Sequence, residues 1–180
     1  MTSRLVRIIP GFALTLLLAV AAPAALAAAV QSGTWAKTGS MTTPRQGQVA
    51  TLLASGRVLV VNGGSAGAEL YNPATGTWAD DGAASPSAER DFTAVLLNNG
   101  QVLISGGLTG TYPAKVHVQA DATLFDPATG TVTSTGSMSI PRAFHTLTVL
   151  RNGQVLATGG ETQNNKGEFS VTAGAELYTP

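Results

Sequence analysis

The 180-residue chain contains no cysteine. That excludes disulfides, thiolate metal sites and a lipid-modified N-terminal cysteine, so strand pairing and packing alone must hold any fold. Charge is scarce as well: 11% of residues are charged and the net charge is zero. No basic stripe is left over for nucleic-acid phosphates. There are two histidines, His117 and His145, in unrelated contexts. What is abundant is Gly, Thr, Ala, Leu and Val, a composition that suits short strands and tight turns rather than amphipathic helices.

The one long apolar run lies at the N-terminus. Arg4 and Arg7 precede an apolar stretch from Ile8 to Val20, and Ala25-Leu26-Ala27 places small residues at both cleavage-determining positions. This pattern predicts a secretory signal peptide over residues 1–27. Ile8 to Val30 is also long enough to anchor in a bilayer. Pro23, the alanine-dominated end and the lack of a basic cluster after Val30 favour cleavage. Loss of Arg4 and Arg7 leaves eight Lys/Arg against ten Asp/Glu in residues 28–180. The expectation is an extracytoplasmic protein, in the periplasm, at the cell surface or secreted, with no membrane association after cleavage and no nucleic-acid partner.

The rest of the chain repeats itself. GRVLVVNGG (56–64), GQVLISGG (100–107) and GQVLATGG (153–160) each follow an apolar run: QVATLL (48–53), FTAVLL (92–97) and HTLTVL (145–150). Each precedes a segment with an aromatic: AELYNPATGTW (68–78), ATLFDPATGTV (122–132) and AELYTP (175–180). Gly63, Gly106 and Gly159 open the glycine pairs, 43 and then 53 residues apart. Four short strands per unit at this period predict an all-β fold of propeller blades, each a four-stranded antiparallel meander. The blades fall at about 36–78, 79–132 and 133–180. Ser55-Gly56, Asn98-Asn99-Gly100 and Arg151-Asn152-Gly153 supply the positive φ that tight hairpins need. Asn72-Pro73-Ala74-Thr75-Gly76 and Asp126-Pro127-Ala128-Thr129-Gly130 carry an Asx residue to open the next turn and Gly to end it. Trp78, at a repeat position, is expected to pack between blades.

Read together, GSMTTPR (39–45), the degraded ASPSAER (84–90), GSMSIPR (136–142), His145, the Gly-x-Val-Leu strands, the Gly-Gly pairs, Ala-Glu-Leu-Tyr and Asp-Pro-x-Thr-Gly resemble kelch repeats of the bacterial secreted kind. They are similar to the propeller domain of galactose-oxidase-like proteins. The resemblance covers nearly all of residues 33–180 and implies architecture more than chemistry, because this fold hosts enzymes and plain binding modules alike. The histidine of the pattern survives only as His145, with Gln48 and Thr93 taken as its counterparts. Copper-radical oxidases of related fold use a Tyr–Cys crosslink with Tyr and His ligands; the absence of Cys argues against such a site here, and no cofactor is expected.

Alternating strand direction puts the one-to-two and three-to-four turns on one face, and the two-to-three loops and blade connections on the other. From Gly64 to Tyr71 is seven residues, whereas Gly107 to Phe125 and Gly160 to Tyr178 are eighteen each. Insertions confined to one face mark where function is carried. Tyr112, Lys115, His117, Asn164, Asn165 and Lys166 are the candidate contacts there, though 115–119 and 168–172 also suit an edge hairpin. Arg45, Arg90 and Arg142 precede strand one on the same face, where their planar forks could grip an acidic group. Repetition favours the other role for them, pairing with a Glu or turn carbonyl of the blades. His145 has no carboxylate in its own segment to orient it as a base. Asp80, Asp81, Glu89 and Asp91 lack the spacing of a calcium loop and read as a solvated connection.

The three visible repeats make an incomplete ring, since closed propellers take about four to eight blades. Ser32-Gly33-Thr34-Trp35 matches a strand four and is expected to close the last blade or to belong to a missing one. Further blades elsewhere in a longer protein, or a homo-oligomer of two chains, would complete the ring. The functional expectation is a secreted module that binds a protein or carbohydrate ligand through loops on one face. The alternative is the N-terminal part of a galactose-oxidase-like or other carbohydrate-active enzyme whose catalytic residues lie outside this chain. An assembly element whose open blade faces are the interface is a third.

Overall fold

The computed structural model describes residues 33–61, 67–80, 90–111 and 115–180. The expected leader, the Gly63-Gly64 pair, Asp81, Glu89 and Tyr112 lie outside the described residues. The chain divides into a unit of residues 1–36 and a unit of residues 37–180. In the first, residues 33–36 form no strand and Trp35 is fully exposed.

The second unit is all-β. Strands β1 (Val49–Leu52), β2 (Val58–Val61), β3 (Glu69–Asn72) and β4 (Thr77–Asp80) form a meander in that order. Next come β5 (Thr93–Leu96), β6 (Val102–Ser105), a small hairpin of β7 (Leu108–Thr109) and β8 (His117–Val118), then β9 (Ala122–Asp126) and β10 (Thr131–Thr135). The second sheet has the order β10-β9-β6-β5. The third repeat gives β11 (Thr146–Val149), β12 (Val155–Thr158), a hairpin of β13 (Glu161–Gln163) and β14 (Phe169–Val171), and β15 (Ala175–Tyr178). Its sheet is three-stranded, β11-β12-β15. These are propeller-type blades, antiparallel throughout and not closed on themselves. The proposed closing strand at 32–35 is not formed: Gly33, Thr34 and Trp35 are in no sheet, and Ser32 lies outside the described residues. Strand four has four residues in the first sheet and five in the second.

Turn chemistry follows the residues. Asn72 Oδ1 accepts the Ala74 N–H at 3.0 Å and Asp126 Oδ1 the Ala128 N–H at 2.8 Å. Gly76 and Gly130 end the two turns at φ of 68° and 70°, a region costly for other residues. Strand alternation then divides the core. From β6, Val102 and Ile104 join Leu59, Val61 and Phe125 in the layer between the first and second sheets. Leu103 turns the other way, to Val155, Leu147 and Tyr178 of the third. First strands are neighbours, with β5 beside both β1 and β11, so the sheets fan out from that edge.

The glycine doublets sit at matching places, Gly106-Gly107 after β6 and Gly159-Gly160 after β12, all at positive φ. A Cβ on Gly107 would stand 2.8 Å from the Arg90 carbonyl oxygen, and one on Gly160 would stand 2.5 Å from that of Ala143. No other residue fits there. Past each doublet the two long insertions fold as hairpins, held by Gln119 N–H to Gly107 O (2.9 Å) and Thr172 N–H to Gly160 O (3.0 Å). The hairpins lie against each other, with Gln163 Nε2 donating to Val116 O at 3.0 Å.

Candidate functional site

Three segments lead into the first strands, and their backbones match: Gly47, Asp91 and Phe144, each two residues before its strand, have φ of 66°, 59° and 56°. This common point sets the register of the neighbouring arginines. Arg45 and Arg142 stand four residues before their strands, whereas Arg90 stands only three before β5. The isolated bridges agree, since Arg90 pairs with Leu108 and Ala143 with Glu161. Arg90 is therefore the counterpart of Ala143, and Phe92, not Thr93, is the counterpart of His145. The three arginines therefore do not stand at equivalent positions and do not together offer a grip for one acidic group.

Arg45 and Arg142 are clamps inside their blades. Arg142, fully buried, donates to Glu176 Oε1 at 3.1 Å and to the carbonyls of Gly159 (3.0 Å) and Gly174 (2.7 Å). Arg45 donates to Glu69 Oε1 at 3.0 Å and to Gly67 O at 2.6 Å. Burial tends to raise the pKa of each glutamate. Hydrogen bonds win: Ser139 and Ile140 N–H and the Arg142 fork bring Glu176 down to about 2, and Thr42 and Arg45 lower Glu69. Both guanidinium groups are buried away from the outer surface, so Arg45 and Arg142 take the role that repetition favours, pairing with a glutamate and turn carbonyls, and are not available to bind a ligand. His145 is buried too, with Nε2 3.1 Å from Ser105 Oγ and Nδ1 without a partner among the described residues. Burial, with the Arg142 charge, lowers its pKa to about 4, so it stays a neutral core residue.

Arg90, displaced by one residue, reaches the surface instead. It lines a pocket of about 380 Å³ with Asp91, Leu108, Val116, Phe144, Glu161 and Phe169. Two lead-in segments and both hairpins meet there, on the face that carries the insertions. Arg90 donates to Gly110 O at 3.0 Å and lies 3.8 Å from Asp91 Oδ2. Phe144 and Phe169 are 55% and 45% exposed, unusual for phenylalanine in so small a protein. Phe144 also holds a left-handed backbone that costs a bulky residue of order 1–3 kcal/mol, strain of the kind that collects at functional sites.

Of the remaining candidates, Lys115 and His117 are exposed on the first hairpin, and Asn164, Asn165 and Lys166 on the tip of the second. Asn164 is occupied with its own turn, accepting from the N–H groups of Lys166 and Glu168. Among the described residues, only Arg90 of the expected set lines the pocket. Phe144, Glu161 and Phe169 were not singled out in the sequence, and Asp91 was read as mere connection. The available signal was Phe144 at the lead-in position that the first repeat gives to Gly47. A larger groove of about 690 Å³ lies on the opposite face. Its polar residues serve their own short turns, as Asn99 with Gln101 and Asp126 with Ala128. No group of three or more His, Asp and Glu residues able to hold a metal exists among the described residues.

No family model and no curated protein matches the sequence. Among solved structures 135 chains match, so the fold is too widespread to name a function. One, "Structure of YjhT", superposes with a TM-score of 0.60 at 18% identity, over 71% of this chain and 37% of that one. At that identity the likeness speaks for the fold alone, and the chain spans little more than a third of that protein's length.

Proposed function

We propose that this chain is an exported kelch-type propeller module whose hairpin face binds a glycan. The observation that carries the reading is the pair of exposed phenyl rings, Phe144 and Phe169, in one pocket with Arg90, Asp91 and Glu161. A sugar offers an apolar C–H face and a rim of hydroxyls. Aromatic rings take the first, and fixed charged groups take the second. The Glu161 carboxylate has no hydrogen-bond partner among the described residues and is an acceptor in waiting. With one guanidinium against two carboxylates, the pocket favours an uncharged sugar over an anionic one. The leader pattern supports export, and the repeat motifs support the kelch assignment.

Phe144→Gly tests this directly, because Gly47 already occupies the same backbone conformation in the first repeat. Calorimetric titration with a panel of neutral oligosaccharides is expected to show binding that Phe144→Gly weakens at least tenfold while thermal stability holds or rises. Arg57→Ala, on the opposite groove, leaves affinity unchanged. A wild-type chain that binds none of the panel, or a variant that binds equally well, overturns the reading.

A further inference from the structure

Each sheet has two unlike faces, and the chain joins them in one sense only. A leading face, Leu59 and Leu70 on the first sheet, packs on a trailing face, Val102 and Phe125 on the second. The second sheet repeats the pattern, with Leu103 and Leu124 packing on Val155 and Tyr178 of the third. Strand register makes Leu177 of the third sheet the counterpart of Leu70 and Leu124, and Leu52 of the first the counterpart of Leu96 and Val149. Those counterparts are packed against a neighbouring sheet; Leu177 is 57% and Leu52 is 62% exposed. Among the described residues no further sheet covers Leu177 on the leading face of the third sheet or Leu52 on the trailing face of the first.

A second vacancy matches. GTWAKTGSM (33–41) aligns with GTVTSTGSM (130–138), whose residues 131–135 are strand four of the second sheet. The alignment holds in space where it can be compared: Thr38 Oγ1 lies 2.6 Å from the Tyr71 hydroxyl, and Thr135 Oγ1 lies 2.9 Å from that of Tyr178. Residues 34–38 therefore stand in the register of a fourth strand for a preceding sheet, and the third sheet has no fourth strand among the described residues.

We propose that a second copy of this chain docks head to tail, its first sheet on the third sheet of its partner, with residues 34–38 added as the missing strand beside β15. The same contact is made twice, so two chains pair into a six-bladed ring. Six blades fall within the four to eight that propellers use, and a heterologous contact that closes on itself ends growth. The interface needs no new chemistry, because it reproduces one the chain already makes internally.

Light scattering on the purified chain tests this, with far-ultraviolet circular dichroism to confirm folding. The expected mass is twice that of one chain at micromolar concentration. Leu177→Glu and Leu52→Glu, on opposite faces, each place a charge in the contact and are expected to raise the dissociation constant on the order of 100-fold or more while leaving a β-rich monomer. A wild-type monomer, as when further sheets of a longer protein cover these faces, overturns the proposal. So does a mass that grows without limit, or a dimer that survives either substitution.

Discussion

The second repeat differs from the first and third at two linked positions. In the outer two, strand three carries a glutamate, Glu69 or Glu176, and an arginine four residues before strand one closes on it. In the second, the glutamate's place is taken by Thr123, as its pairing with Ile104 shows, and the arginine has moved one residue along, to Arg90. The hydroxyl of Thr123 is buried without a partner among the described residues. One residue of register separates a fastener inside a blade from a cation in a pocket. The acid and its arginine are kept or lost together, because a buried charge without its partner costs more than the absence of both.

The largest effect expected from this contrast is on stability. Arg142→Ala removes the counter-charge of Glu176, which keeps only Ser139 and Ile140 as donors, and the donor of the Gly159 and Gly174 carbonyls; it is expected to cost about 3–5 kcal/mol. Arg90→Ala, at the surface, stays within about 0.5 kcal/mol. Urea unfolding of the two variants measures both. Similar losses would break the distinction between clamp and pocket arginine.

Acid sharpens the same comparison, since the third repeat holds a histidine where the second holds Phe92. His145 has its pKa lowered from 6.5 to about 4, so the unfolded chain binds the proton first. Its share of stability is complete above pH 6.5 and falls away as pH drops to about 4, by on the order of 3 kcal/mol. Glu176, lowered from 4.5 to about 2, contributes above pH 4.5 and loses that contribution as pH falls towards 2. His145→Phe, copying the second repeat, is expected to flatten the stability profile between pH 6.5 and 4 and leave the lower limb intact. A variant whose profile still falls across the upper window would contradict the buried neutral histidine.

The blades were legible because strand period, turn residues and glycine doublets all recur, and each has a local physical cause. Asx residues before Pro-Ala-Thr-Gly foretold the three-to-four turns, and the unequal loops foretold which face carries structure beyond the blades. The site was much less legible. Arg45, Arg90 and Arg142 look alike in sequence, and only the shared positive φ at Gly47, Asp91 and Phe144 shows that one is out of step. The exchange of Glu for Thr123 in Ala-Thr-Leu-Phe was the visible sign that the second arginine has no acid to meet on strand three. Glu161 and Phe169 were hidden in an insertion whose hairpin register depends on packing against its neighbour, which no repeat pattern encodes.

The smallest expected effect falls on that same threonine. Thr123 stands where the other repeats place a carboxylate, yet nothing among the described residues receives its hydroxyl. Valine has the same shape without the polar atom, and removing an unsatisfied buried hydroxyl is neutral to favourable by up to about 1 kcal/mol. Thr123→Val should therefore hold or raise the urea midpoint, although it alters a buried blade position. The matching substitution at a satisfied site, Glu69→Val, should lower it sharply, because it strands Arg45 in the core. A clear loss of stability in Thr123→Val would mean that the second blade keeps a fastening of its own at this point, and that Arg90 was released to the pocket for some reason other than the missing acid.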